Sequence, residues 1–191
     1  MTPNSLDPRW DNQTLNYDLE KHNWSAYWLA VAKEKFPQID ALETIHEILK
    51  PSEILELGRY LQKACDGNEF QDRADAYYGD YVPQLSDGEE WMLQRQFTIR
   101  MVIPNQEKAG RLLAFHQGIW VGNGIGLHTI WTPFTKCYDS NSMWIMGWDE
   151  SHRITQQAYD EKWSYDRLQE ECAKHSWPVT LDPGQAHLFQ Q

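Results

Sequence analysis

The periodicity of the chain changes once, near residue 86, and this change restricts the architectures open to it. Upstream, apolar residues recur at helical spacing. Trp24 to Lys35 (WSAYWLAVAKEK) carries such a stripe and stops before Phe36-Pro37. Ile39 to Lys50 follows, with Ile39, Leu42, Ile45 and Leu49 in line, and Pro51 breaks it. Ser52 is the expected N-cap of a helix over Glu53 to Cys65, ended by Asp66-Gly67-Asn68. Glu69 to Tyr78 is a further short helix, and residues 1–23 read as an extended polar lead-in.

Downstream the pattern is that of short strands separated by Gly and Pro turns. The expected strands are Glu90 to Ile103, Arg111 to Gln117, Leu127 to Phe134 and Ser142 to Trp148. Val121 to Gly126 (VGNGIG) is a glycine-rich turn. Ser151 to Trp163 reads as polar and irregular, and Ser164 to His175 as a short helix. Pro178 to Leu181 and Gln185 to Gln191 read as a final hairpin around Asp182-Pro183-Gly184. At 191 residues the chain is one domain by size. The fold class expected is α+β. Helices in 1–85 pack on a double-stranded β-helix (jelly-roll, cupin-like) core in 86–191. That core is incomplete at its C-terminal end, with about six strands against the eight of a full jelly roll.

Composition excludes several roles. The 17 Lys and Arg stand against 28 Asp and Glu, a net charge of −11. A broad nucleic-acid footprint needs clustered positive charge, so none is expected. No apolar run approaches ~18 residues, so no membrane span is expected. Met1 to Trp10 lacks the basic and apolar regions of a signal peptide. Cys65, Cys137 and Cys172 are widely spaced and odd in number, which fits reduced thiols in a cytoplasmic protein. Gly122, Gly124 and Gly126 lack the following helix that a dinucleotide fingerprint requires. Ten Trp and nine Tyr suit a deep cleft as well as a core.

The stretch Leu112-Leu113-Ala114-Phe115-His116-Gln117-Gly118-Ile119-Trp120 carries the chemistry. On a strand, residues i and i+2 share a face. A His-x-acid pair there presents an imidazole and a carboxylate to one cavity. A second histidine from a distant strand completes the 2-His-1-carboxylate face of non-haem Fe(II) oxygenases. His116 is the candidate metal ligand, and Gly118 stands where the acid is expected. Arg95 and Arg100 are candidates to meet an acidic cofactor or substrate, because guanidinium matches carboxylate bidentately. Trp120 and Trp131 are candidates to line the pocket, with core packing the alternative for both.

The residues FHQGIWVGNGIGLHTIWTPFTKCYDSNSMWIM resemble the Fe(II)/2-oxoglutarate-dependent oxygenases of the phytanoyl-CoA dioxygenase type, in their sporadic carbohydrate-cluster branch. The matching features are His116, Trp120, the turn Gly122 to Gly126, Trp131-Thr132-Pro133 and Asn141-Ser142-Met143. Arg95 to Arg100 looks like that family's first core strand, and Gly184 to Phe189 like the segment leading to its distal iron histidine. The resemblance covers roughly residues 90–191. It implies Fe(II) and 2-oxoglutarate as cofactors and a small-molecule substrate of carbohydrate or natural-product biosynthesis. It also places Trp131, Asn141 and Ser142 by the cofactor pocket. The distal histidine and the 2-oxoglutarate arginine are expected a little beyond Gln191. Within the chain, His187 is the substitute ligand, with His128 and His152 behind it.

Related halogenases carry Ala or Gly at the carboxylate position, so Gly118 implies a chloride site. Losing the carboxylate vacates a coordination position and removes one negative charge, and a halide supplies both. Hydroxylation through a different carboxylate is the first alternative. A non-catalytic binding domain that kept the fold, or a truncated inactive fragment, is the second. The sequence leaves the substrate and the oligomeric state open.

Overall fold

The structure is a computed structural model that describes residues 12–85, 92–95, 97–103, 114–118, 122, 127–138 and 141–190. Helix takes 48% and strand 13% of these residues, and the sheets are small and antiparallel. The chain gathers into two compact units, one spanning Tyr17–Ile103 and the other within Met1–Asn16 and Pro104–Gln191.

The first unit is helical: α1 (Trp24–Lys35), α2 (Ile45–Ile48), α3 (Pro51–Ala64) and α4 (Asn68–Leu85). α1 begins where the Asn23 side chain accepts from the Ala26 N–H. It buries Trp24, Tyr27, Trp28, Val31 and Ala32, the i, i+3, i+4, i+7, i+8 stripe of an amphipathic helix. Pro51 opens α3 rather than only ending what precedes it, since its missing N–H is no loss in a first turn. The Glu53 carboxylate accepts from the Lys50 N–H at 2.7 Å, so Ser52 is not the cap. α3 buries Ile54, Leu57 and Leu61, and α4 buries Phe70, Ala74 and Tyr77. Aromatic rings join α1 to α4, with Trp28–Phe70 at 5.4 Å and Trp24–Tyr77 at 5.6 Å between centroids. Each such side chain contributes about 1.5–3 kcal/mol on full burial.

The expected strand over Glu90 to Ile103 is absent from its described part, residues 92–95 and 97–103. The reason lies in Gln62 of α3. Its amide donates to the Phe97 carbonyl at 2.7 Å and accepts from the Ile99 N–H at 2.9 Å. A side chain thus supplies the backbone partners that a neighbouring strand would supply.

The second unit holds β1 (Gln13–Asn16), β2 (His128–Trp131), β3 (Trp144–Ile145), α5 (Trp148–Asp160), α6 (Tyr165–His175), β4 (Trp177–Pro178) and β5 (Gln185–Gln190). One sheet has the order β1-β5-β2, and β3 pairs with β4 in a second. β1 lies in the segment read as an extended polar lead-in; there it is a paired strand, with Thr14 opposite His187 of β5. β2 pairs with β5, Trp131 opposite His187 and His128 opposite Gln190. β4 and β5 do not form the expected hairpin, because β4 pairs with β3 and Leu181 bridges Cys137. The stretch Ser151 to Trp163, read as irregular, is mostly α5. It has only Ile154 fully buried, and Arg153 bonds Glu150 along its surface. Its inward stripe, Ser151, Ile154, Thr155 and Ala158, keeps helical spacing but is mostly small or polar, so it does not read as an apolar face. Cys137, Ile145, Val179 and Leu181 form a buried cluster, with Trp131 and Met143 packed against it.

Candidate functional site

The stretch around His116 is not a strand in its described part, Ala114 to Gly118. Arg111 to Leu113, Ile119 and Trp120 lie outside the described residues. The segment is held by side chains from two helices. Gln169 of α6 clamps Phe115, accepting from its N–H at 2.7 Å and donating to its carbonyl at 2.9 Å. The Gln117 amide donates to Ser151 Oγ of α5 at 2.9 Å. Both neighbours of His116 are therefore pinned, while His116 itself is exposed.

The His116 ring is oriented too. Its Nδ1 lies 2.9 Å from the Ala114 carbonyl. A carbonyl can only accept, so Nδ1 carries the proton and donates. The lone pair is then on Nε2, at the outer tip of the ring. Metal-binding histidines are commonly oriented in this way, with one nitrogen hydrogen-bonded and the other free to ligate. Gly118, two residues on, is buried and offers no side-chain donor. Among the described residues no group of three or more His, Cys, Asp or Glu side chains could hold a metal ion. Of a 2-His-1-carboxylate set, the described residues thus show one oriented imidazole, at His116, and no three-residue group that includes it.

His187 stands differently. It sits in the middle of β5, the central strand of its sheet, and is 5% exposed. Neither ring nitrogen has a hydrogen-bond partner. Burial pushes its pKa below the ordinary histidine value, which favours the neutral imidazole. An unpaired buried polar group costs about 1–3 kcal/mol. Its ring lies 6.2 Å from that of Phe189, nearly parallel. Residues directly opposite on antiparallel strands share a face. His187 therefore shares a face with Thr14, Thr129, Trp131 and Phe189, while His128 lies on the other face with Gln190. Alternation alone separates the two histidines of this sheet.

The remaining candidates are dispersed. Arg95 is exposed and bonds Asp75 of α4 at 2.6 Å. Arg100 is also exposed, and both arginines belong to the helical unit. Asn141 uses its amide on its own turn, accepting from the Tyr138 N–H and donating to the Lys136 carbonyl. The Ser142 hydroxyl lies 3.4 Å from the Met143 carbonyl. His152 is exposed on α5 and stacks on Trp148 at 6.2 Å. Gly122 takes φ +93°, the left-handed conformation a glycine turn requires. Gly124 and Gly126 lie outside the described residues. All three cysteines are free and buried, and desolvation pushes Cys65 and Cys137 up to about 11. None is a thiolate nucleophile near neutral pH. Among the described residues no helix is long and apolar enough to cross a membrane.

Sequence reasoning missed Gln169 and Ser151, the two residues that position the His116 segment. It also missed the pair of His22, 2% exposed, with Asp80, whose Oδ2 lies 2.7 Å from His22 Nε2. No local pattern marks an amide that reaches a backbone 54 residues away. Compared with known proteins, the chain matches no family model, no curated protein and no solved structure.

Proposed function

We propose that the sheet-bearing unit works as a non-haem Fe(II)/2-oxoglutarate enzyme on an aliphatic carbon of a polar small molecule. In this reading its small sheets belong to a double-stranded β-helix. The observation that carries the reading is the presentation of His116: an exposed imidazole, fixed in tautomer by Ala114 and pinned on both sides by Gln169 and Ser151. Such anchoring serves a group that must hold a geometry in solvent.

Bound iron with 2-oxoglutarate would supply the oxidising power to break an aliphatic C–H bond. The chain's own residues do the rest. His116 offers its Nε2 lone pair as ligand. Gln169 and Ser151 keep the segment from turning that ring away. In this reading, although the described segment is not a strand and has His116 exposed and Gly118 buried, Gly118 would withhold a carboxylate and leave a position and a charge deficit for an anion such as chloride. This favours halogenation over hydroxylation.

The second reading is a binding domain without metal chemistry. It is favoured by Gly118 and by the lack of a three-ligand group among the described residues. One experiment separates the two. The protein is incubated with Fe(II), 2-oxoglutarate, O₂, chloride and candidate polar small-molecule substrates, and succinate and chlorinated product are followed, with Co(II) binding measured in parallel. The enzyme reading expects 2-oxoglutarate turnover and about tenfold weaker Co(II) binding in His116→Ala. It further expects Gly118→Asp to abolish chloride-dependent chlorination. Neither turnover nor metal binding in the wild-type protein leaves the second reading standing.

A further inference from the structure

Residues 97–103 of the helical unit carry an unfinished strand edge. Their exposure alternates: Phe97, Ile99, Met101 and Ile103 are half-buried, and Thr98, Arg100 and Val102 are exposed. That is the period of an extended chain lying on a core. Inward, Phe97 meets Phe70 and Tyr78 of α4 at 4.9 and 5.8 Å between centroids. The Met101 sulfur would lie 3.6 Å from a Cβ placed on Gly58 of α3. The Gln62 amide bonds the Phe97 carbonyl and the Ile99 N–H, as a residue of a parallel strand opposite Thr98 would. One edge of the segment is thereby answered. Backbone groups of successive strand residues point to opposite edges, so those of Thr98, Arg100 and Val102 face the other edge. Among the described residues they make no hydrogen bond. Such an edge is a template for a further strand.

Arg100, at the centre of that edge, decides what can pair there. Among the described residues it makes no ion pair, whereas Arg95 is bonded to Asp75. Two copies of the segment meeting antiparallel about this position would set Arg100 against Arg100, which is repulsive. A carboxylate in the same place is attracted. The chain has a net charge of −11, so it does not draw acidic partners in general and the recognition has to be this local pairing. Apolar surface lies on the same segment and on the helix beneath it. Val102 is 41% exposed, and Leu55, three residues before Gly58 on α3, is 58% exposed.

We propose that residues 97–103 accept an extended peptide segment of another protein as an added strand, with a carboxylate side chain opposite Arg100 and an apolar side chain beside Val102. The backbone groups of Thr98, Arg100 and Val102 supply the hydrogen bonds, and the side chains of Arg100 and Val102 select the sequence. The surface belongs to the helical unit and uses no iron ligand. The inference therefore goes beyond the iron reading and stands or falls without it.

The test uses the full chain and a fluorescein-labelled peptide of about ten alternating Thr and Val residues with one central Glu. Binding is followed by fluorescence anisotropy, and the backbone amides of the chain by hydrogen exchange with NMR. The peptide should bind saturably and slow exchange at Thr98, Arg100 and Val102 tenfold or more. Ile99, already bonded to Gln62, should change little. Two control peptides carry N-methyl groups on alternate backbone nitrogens, one on the odd and one on the even positions. Strand addition uses one set only, so one control should lose binding and the other keep it. Arg100→Glu, at an exposed position, should weaken the Glu peptide tenfold or more. Exchanging the peptide's Glu for Lys should restore binding to that variant. Absence of saturable binding would overturn the proposal, as would equal binding by the two controls or wild-type affinity in Arg100→Glu. So would slow exchange at Thr98, Arg100 and Val102 in the free chain. That result would mean that the edge is already paired, by the chain itself or, where protection rises with protein concentration, by a second copy.

Discussion

Two histidines of the same unit show opposite strategies. His116 is exposed, yet its neighbours and one ring nitrogen are tied down. His187 is buried at the centre of a sheet, yet nothing holds either nitrogen. Water would solvate His116 without any of its anchors, so the anchors serve orientation. Burial strips His187 of water, so its missing partners are a cost that folding alone does not offset. An exposed group that is over-determined and a buried group that is under-satisfied both point away from pure packing. His22, in the helical unit, is the control. It is as buried as His187 but bonds Asp80 and lies edge-on to Tyr77 and Tyr81 at 5.4 and 5.8 Å.

The largest expected effect tests that control. His22→Leu removes a hydrogen bond to a charged group, about 1.5–3 kcal/mol, and two edge-on ring contacts at about 0.5–1.5 kcal/mol each. Leucine burial returns part of this. The expected loss is about 3 kcal/mol, read as a lower urea midpoint at unchanged slope. A loss under about 1 kcal/mol would mean that a partnered buried histidine matters little here. The contrast with His187 would then lose its meaning.

Next in size is Gln169→Leu. It leaves the N–H and carbonyl of Phe115 without their partner, a cost of about 2 kcal/mol. Its diagnostic effect is on His116. If the clamp orients the ring, Co(II) affinity should fall about tenfold in Gln169→Leu, while Gln169→Glu, which keeps an acceptor for the Phe115 N–H, should fall less. Full metal affinity in a destabilised Gln169→Leu would show that the clamp holds the fold alone.

How much of this was legible in the sequence differs between the units for a physical reason. α1 runs over the expected residues because five buried residues fall on one helical stripe and Pro37 follows its end. α3 and α4 follow the same logic, although α4 runs on through Pro83 to Leu85. α5 went unread because its inward stripe, Ser151, Ile154, Thr155 and Ala158, has helical spacing but mixes small and polar residues with one large apolar one. The strands were harder. Segments near Phe97 and Phe115 have strand-like composition, but glutamine side chains from α3 and α6 satisfy their backbones instead of a ladder. Composition reports that a segment suits extended structure; it does not report who pairs with it. At the candidate site, His116, Gly118 and His187 were legible as residues. The partners that give His116 its orientation, and the absence of partners that gives His187 its interest, arise only from tertiary contacts.

The smallest effect is a pH dependence, and it separates His187 from the carboxylates. Burial holds the folded His187 pKa below the ordinary value of 6.5. As pH falls through about 6.5, the unfolded chain takes up a proton at this position and the folded chain does not. The unfolded state binds more protons there, so stability falls as pH drops, until the folded imidazole is protonated too. The carboxylates act lower. Hydrogen bonds led by Arg153 at Glu150 and by Lys21 at Asp80 hold both below their ordinary values of 4.5 and 3.8. Their contribution is present above those values and is lost only as pH falls below them. The strand residues opposite His187, Thr14 and Trp131, do not titrate in this range. Urea midpoints at pH 7.0 and 5.0 therefore read His187 as a difference of differences. Wild type should lose more stability over that interval than His187→Phe. At pH 7.0 His187→Phe should be more stable by about 1 kcal/mol, since two unpaired polar atoms leave the interior. Equal slopes in the two proteins would mean that the folded imidazole titrates normally. Its nitrogens would then have to be solvated, and the contrast with His116 would reduce to exposure alone.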